Sequence, residues 1–275
     1  MAEKDHHHQH DTDQQPERPT DSPVGDVAEP ASPATEAAPA PKRVLLIQAH
    51  PDDAEFMCAG TVARWAQEGA EIVYCSLTSG DKGSDDPEAT GVALAATRER
   101  EQQAACDILG VKQLILMGYP DAMLVPDLAM RKALTRVIRT VKPDVLMCQD
   151  PTMRYSGQGY INHPDHIAAG EASLAAVFPS TRDRLTFPEL LAEGLEAHKV
   201  PEVYIYGTNN ADLWVDISTS IDTKIAALQA HASQLGGWEP ADEMRTWARE
   251  TASRHPDKPE GFGEYAESFK YMKLD

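Results

Sequence analysis

The 275-residue chain is predicted to adopt an α/β fold built on a mostly parallel central sheet. Three features predict it. Short apolar runs alternate with longer amphipathic stretches, the pattern of strands joined by crossover helices. The first strand-like run, RVLLIQA (43–49), is apolar throughout, as a strand buried on both faces requires. And the loops richest in His, Asp and Gly all follow strand-like runs, where open α/β sheets place their ligands.

The elements follow in order. After 43–49, the stretch 55–69 reads as a helix ending at Gly69, a residue suited to a C-cap. EIVYCSLT (71–78) is a strand, and the turn-rich 79–91 is long enough to suggest a working loop. A long helix over 92–110 closes at Gly110; 113–118 is a strand and 119–124 its loop. The helix 127–141 stops before Pro143, 144–150 is a strand, and the loop 151–161 leads into a helix over 163–178. A Pro- and Leu-rich middle (179–200) precedes strands at 202–207 and 213–217. Helices over 219–235 and 240–253 come before a short tail. Together these predict a Rossmann-like three-layer arrangement with its site at the C-terminal ends of the strands.

Residues 1–42 contrast with the rest. They carry seven of the 20 prolines, almost no large apolar side chain, and a charge of −6 out of −19. Such a segment buries too little to offset its ordering entropy, so a disordered tail is expected, followed by one domain over 43–275. The tail histidines His6, His7, His8 and His10 have no fixed geometry and receive no catalytic role. The remaining charge of −13 argues against nucleic acid and anionic membrane surfaces as partners. No apolar run is long enough to span a bilayer and no leader pattern is visible. The four cysteines lack CxxC spacing, so reduced thiols and a cytoplasmic location are expected. The dinucleotide fingerprint, the P-loop and the nucleophile elbow are all missing from the sequence.

The chemistry is concentrated in two fragments, AHPDDAE (49–55) and NHPDHIAAG (162–170). Each follows a strand end or its loop, so one sheet rim can bring them together. His50, Asp53 and His166 would supply two imidazoles and a carboxylate, a ligand set suited to a catalytic Zn2+, one per chain. A metal-bound water still needs a proton acceptor, and Asp52 is the candidate general base. His163, as an imidazolium, would face the oxyanion of a tetrahedral intermediate, with Asp165 orienting it and holding its proton. Taken singly, each His-Pro-Asp reads equally well as a turn bearing a solvated acid.

These motifs and the order of the elements between them resemble the LmbE-like, or PIG-L, family of zinc-dependent de-N-acetylases over residues 43–270. TRERE (97–101), GYPD (118–121) and AHASQ (230–234) are similar to further family stretches. The resemblance implies an N-acetylated amino sugar of the N-acetylglucosamine type as substrate. It also implies the metal and acid–base roles above, substrate-binding roles for Arg98 and Asp121, and a homo-oligomer, trimeric or hexameric. Without it, Arg98 reads as a helix-face ion pair with Glu99 or Glu101, and Asp121 as a turn residue. His231 is expected to pack or hydrogen-bond. Glu55 is expected either to accept a hydrogen bond near the metal loop or to start a helix. Ile161 stands where the mycothiol-related branch carries a tyrosine, and the layout of 151–166 resembles the diacetylchitobiose branch instead. Two other readings are an amidase for a different N-acyl group, such as a thiol-sugar conjugate, and a metal-binding protein without catalysis. A mere binder would need neither Asp52 nor His163.

Overall fold

The computed structural model describes residues 40–275; the expected tail lies, over residues 1–39, outside them. From the N-terminus the elements are β1 (Arg43–Gln48), α1 (Asp53–Met57), α2 (Ala59–Gln67), β2 (Glu71–Thr78), α3 (Gly91–Leu109), β3 (Gln113–Tyr119), α4 (Leu128–Val141) and β4 (Val145–Gln149). Next come a two-stranded hairpin of β5 (Tyr155–Ser156) and β6 (Tyr160–Ile161), then α5 (Pro164–Ala175), α6 (Glu189–Ala192), β7 (Glu202–Tyr206) and β8 (Leu213–Asp216). The chain closes with α7 (Ile221–Gln229), α8 (Ala232–Leu235), α9 (Ala241–Ser253) and β9 (Ala266–Lys273).

The main sheet has seven strands in the order β3-β2-β1-β4-β7-β9-β8. The first five are parallel, as expected. Successive strands after β1 are laid to one side and β4 and β7 to the other, so the order reverses between β1 and β4. The crevice beyond their C-terminal ends is the topological switch point, where such sheets bind ligands. Alternate residues face opposite layers, as strand periodicity demands. Leu45, Ile47, Val73 and Leu146 pack under α4 and α5, while Val44, Leu46, Ile72 and Met147 pack against the opposite layer.

The structure corrects the sequence reading in three places. Residues 266–273 are not a tail but β9, inserted antiparallel between β7 and β8. Its buried Glu267 explains the strand's polar look. The carboxylate accepts from the Gly60 and Thr61 backbone N–H groups at the start of α2 and pairs with buried Lys224. The helix expected over 55–69 is two helices broken at Cys58 (φ −144°). The helix expected over 219–235 breaks at Ala230 and His231, which turns the chain beneath the site.

One close approach sets the position of α5. A Cβ on Gly170 would lie 2.3 Å from the Gln149 carbonyl oxygen and 3.0 Å from the Pro151 nitrogen. Only glycine lets α5 seat this tightly on the end of β4, and the histidines at its N-terminus are carried in with it.

Candidate active site

His50 stands two residues beyond the end of β1, and its backbone N–H donates to Asp53 Oδ2 (2.8 Å). Asp52 then takes a left-handed conformation (φ 89°, ψ −21°), rare for a residue with a Cβ, and caps α1. The reversal sends the side chains of Asp52 and Asp53 in different directions. Asp53 is buried, and its Oδ2 accepts a second hydrogen bond from Gln149 Nε2 (3.0 Å) at the end of β4.

From the other side, His163 is the N-cap of α5, Pro164 opens the helix, and His166 lies within its first turn. His166 Nε2 is 2.9 Å from Asp53 Oδ1, and His50 Nδ1 is 3.6 Å from Asp53 Oδ2. The ligating atoms of His50, Asp53 and His166 all lie within 4.8 Å of one another. Asn162 fixes the His166 ring. Its Nδ2 donates to the Met153 carbonyl (2.7 Å), so its Oδ1 faces His166 Nδ1 (3.0 Å). His166 Nδ1–H therefore donates to Asn162, which leaves Nε2 as the nitrogen that faces Asp53 and would ligate a metal.

On the far edge of His50, Nε2 meets Asp121 Oδ1 (3.1 Å) and Asp165 Oδ2 (3.3 Å). Burial opposes charge on this ring, but its hydrogen bonds to Asp121, Asp165 and Asp53 prevail and raise its pKa to about 12. Asp121 is correspondingly lowered to about 2, chiefly by His50. Asp53 is also held below the usual carboxylate range: burial works against its charge, and His166 and His50 outweigh it. Asp52 moves the opposite way, pushed up by burial and by the charges of Asp53 and Glu55. Two neighbouring aspartates are thus driven apart, one as an anion held by imidazoles and the other as a proton-accepting group. Two imidazole nitrogens and a carboxylate among this many acids form a donor set that fits a divalent borderline cation such as zinc.

Four of the expected site residues have the following partners. Asp165 does not hold the His163 proton. Its carboxylate is turned to His50 and to the Leu124 N–H (3.1 Å), and its backbone N–H donates to His163 Nδ1 (3.2 Å). His163 therefore carries its proton on Nε2, and burial and the His50 charge push its pKa down. Arg98 does not make the helix-face pair with Glu99 or Glu101; it lines the pocket. Its guanidinium donates to the carbonyls of Gly80 (2.6 Å), Lys82 (2.9 Å) and Gly83 (3.3 Å) and so forms the wall of the pocket. Asp121, buried, lines the pocket and meets His50 and the Lys82 N–H (3.1 Å).

The site opens into a pocket of about 540 Å³, within the usual range for small-molecule sites. Its outer wall is apolar, with Phe56, Met57, Met153, Tyr160 and Ile161, and Gln234 reaches in from α8. Sequence reasoning did not single out Gln149, Asn162 or Gln102. The first two stand at a strand end and directly before the second motif, positions that could have drawn attention. Gln102 lies mid-helix with no local signal.

The fold and site define a Rossmann-like α/β protein with a His–Asp–His cluster that could hold a metal ion at the switch point of its sheet. The family model described as "PIG-L: GlcNAc-PI de-N-acetylase" matches residues 45–177. The diacetylchitobiose deacetylase of Thermococcus kodakarensis is 34% identical over 206 residues, covering 75% of this chain and 73% of that protein. The probable N-acetyl-α-D-glucosaminyl L-malate deacetylase 2 of Bacillus anthracis is 32% identical, covering 70% and 82%. Among solved structures, N,N′-diacetylchitobiose deacetylase from Pyrococcus horikoshii superposes with a TM-score of 0.75 at 29% identity, covering 85% of this chain and 84% of that one. The chain belongs to the PIG-L family.

Proposed function

We propose that the protein is a zinc-dependent hydrolase that removes the acetyl group from an N-acetylated amino sugar of the N-acetylglucosamine type. One observation carries the reading. Asp53 is locked between two imidazoles, whereas adjacent Asp52, turned away by its left-handed backbone, lines the pocket with its pKa raised. A protein that only bound metal would need the first aspartate and not the second.

Zinc held by His50, Asp53 and His166 would polarise the amide carbonyl and lower the pKa of a water at the open position. Asp52 would accept a proton from the attacking water and return it to the leaving amine. His163, its Nδ1 accepting from the Asp165 N–H, would present Nε2–H to the oxygen that becomes negative. Asp121 and Asp165, on the distal nitrogen of His50, fix that ring and add to its basicity. The apolar wall excludes water from the reacting amide.

The reading extends to a cytoplasmic setting, supported by four buried cysteines that form no disulfide, and to one deacetylase domain over 43–275. It extends also to a homo-oligomer, on family analogy; no described helix is long and apolar enough to cross a membrane. Free-amine and acetate formation from N-acetylglucosamine and diacetylchitobiose, with and without chelator, tests the reaction. Metal-dependent acetate release is expected. No acetate from any amino sugar would overturn the substrate class.

A further inference from the structure

Beneath the Asp52 turn lies a chain of polar side chains that the proposed reaction does not use. Gln48, Glu55, Ser76, Gln102 and His231 are each fully buried. Gln102 Oε1 accepts from the Asp52 backbone N–H (3.2 Å) and from Gln48 Nε2 (2.8 Å). Gln48 in turn accepts from the Ala54 N–H (3.2 Å) and donates to Ser76 Oγ (2.8 Å). On its other side Gln102 Nε2 donates to Glu55 Oε1 (3.2 Å). Glu55 Oε2 lies 3.4 Å from His231 Nε2, too poorly aligned for a hydrogen bond, and neither atom has another partner. The run therefore crosses from β1 and β2, through α1 and α3, to the break between α7 and α8.

Fully buried polar side chains are costly unless hydrogen-bonded, and a bonded network holds one arrangement rigidly. What this group specifies is visible at Asp52. Its positive φ is a strained backbone state that persists only where surroundings hold it. The Asp52 carbonyl is engaged by the Phe56 N–H (3.0 Å), a bond internal to α1. Its N–H is held from outside α1, by Gln102.

We propose that Gln102, backed by Glu55 and His231, forms a positioning network that fixes the Asp52 turn and thereby the direction of the general-base carboxylate. This rests on the reading of Asp52 as the base. None of the three contacts the side-chain atoms of His50, Asp53 or His166 that would ligate the metal, and their effect on the site runs through the Asp52 turn.

The test compares Gln102→Met, which keeps the side chain's length but removes its hydrogen bonds, with the paired exchange Glu55→Gln/Gln102→Glu. The exchange reverses the Gln102–Glu55 hydrogen bond while keeping an acceptor opposite the Asp52 N–H. Steady-state kinetics on diacetylchitobiose are read beside metal content by elemental analysis and the visible spectrum of the cobalt-substituted protein. Gln102→Met is expected to lower kcat about 10- to 100-fold, the cost of a misplacement near 1 Å. KM, metal content and cobalt spectrum should stay as in the wild type, and the exchange should recover most of the loss. A kcat within twofold of wild type for Gln102→Met, or metal loss that parallels the fall in kcat, overturns the proposal. His231→Asn, at the far end, provides a second readout should Gln102→Met not fold. It is expected to lower kcat by about 3- to 10-fold at constant metal content, less than the direct contact; an unchanged kcat again overturns the proposal. Asp52→Asn is run alongside. If it retains turnover, the reading of the base fails; if it is inactive while Gln102→Met is fully active, only the network fails.

Discussion

Gly170→Ala is a substitution that two physical effects push in opposite directions. Alanine is the better helix former by about 1 kcal/mol, so propensity alone predicts a more stable protein. The structure predicts the reverse. The new Cβ would lie 2.3 Å from the Gln149 carbonyl oxygen. Comfortable carbon–oxygen contacts begin near 3.3 Å, so α5 must recede by roughly 1 Å. Overpacking of this kind costs about 1–3 kcal/mol, which exceeds the propensity gain. His166 lies one turn before Gly170, on the same face of α5, and moves with it. Its 2.9 Å approach to Asp53 is then lost, and a displacement near 1 Å at a reacting centre costs about 100-fold in rate. The expected outcome is a net destabilisation of about 1 kcal/mol in urea unfolding, weaker zinc binding in competition with a chromophoric chelator, and a large fall in kcat/KM. A Gly170→Ala protein that is more stable than wild type and fully active would refute the seating of α5 on β4 and the placement of His166 that follows from it.

Other outcomes follow from the same geometry. Asp53→Asn should lose zinc, because the anion between the two imidazoles is removed, whereas Asp52→Asn should keep zinc and lose turnover by about 10²–10⁴-fold; elemental analysis beside kinetics separates the two, and identical behaviour would show them misassigned. In the metal-free protein His50, raised to about 12, is protonated at neutral pH. Zinc must displace that proton, so affinity should rise with pH by about tenfold per unit, and calorimetry in buffers of different ionisation enthalpy should show close to one proton released per metal bound. Arg98→Met removes three charge-assisted hydrogen bonds from the 80–83 loop. Limited proteolysis should then cut within 79–90, and KM should rise more than kcat falls.

The residues that could be assigned from sequence are those whose chemistry follows from local geometry. Each His-Pro-Asp sits where a strand or its loop turns, and parallel topology brings both to one rim. That placed His50, Asp52, Asp53, His163 and His166 around a single pocket. The parallel strands were legible because burial on both faces leaves a continuous apolar run. β9 was not, since its Glu267 is buried against backbone N–H groups and a lysine that only the fold assembles. The setting of His163 was hidden for a similar reason. Its ring is oriented by a cap hydrogen bond from the Asp165 backbone, and sequence shows Asp165 only as a nearby acid. Arg98 and Asp121 were recognisable as important through family likeness, but their partners are loop carbonyls and a distal imidazole nitrogen. Gln102 carried no signal, because a glutamine mid-helix acquires meaning only once the Asp52 turn is packed against it.

The central claim is that His50, Asp53 and His166 hold one catalytic zinc whose bound water Asp52 deprotonates for amide hydrolysis. It is tested most directly by titrating metal-stripped protein with zinc while following acetate release from diacetylchitobiose. Activity should rise from near zero and saturate at one zinc per chain. Hydrolysis that proceeds at full rate before any metal is added would contradict it.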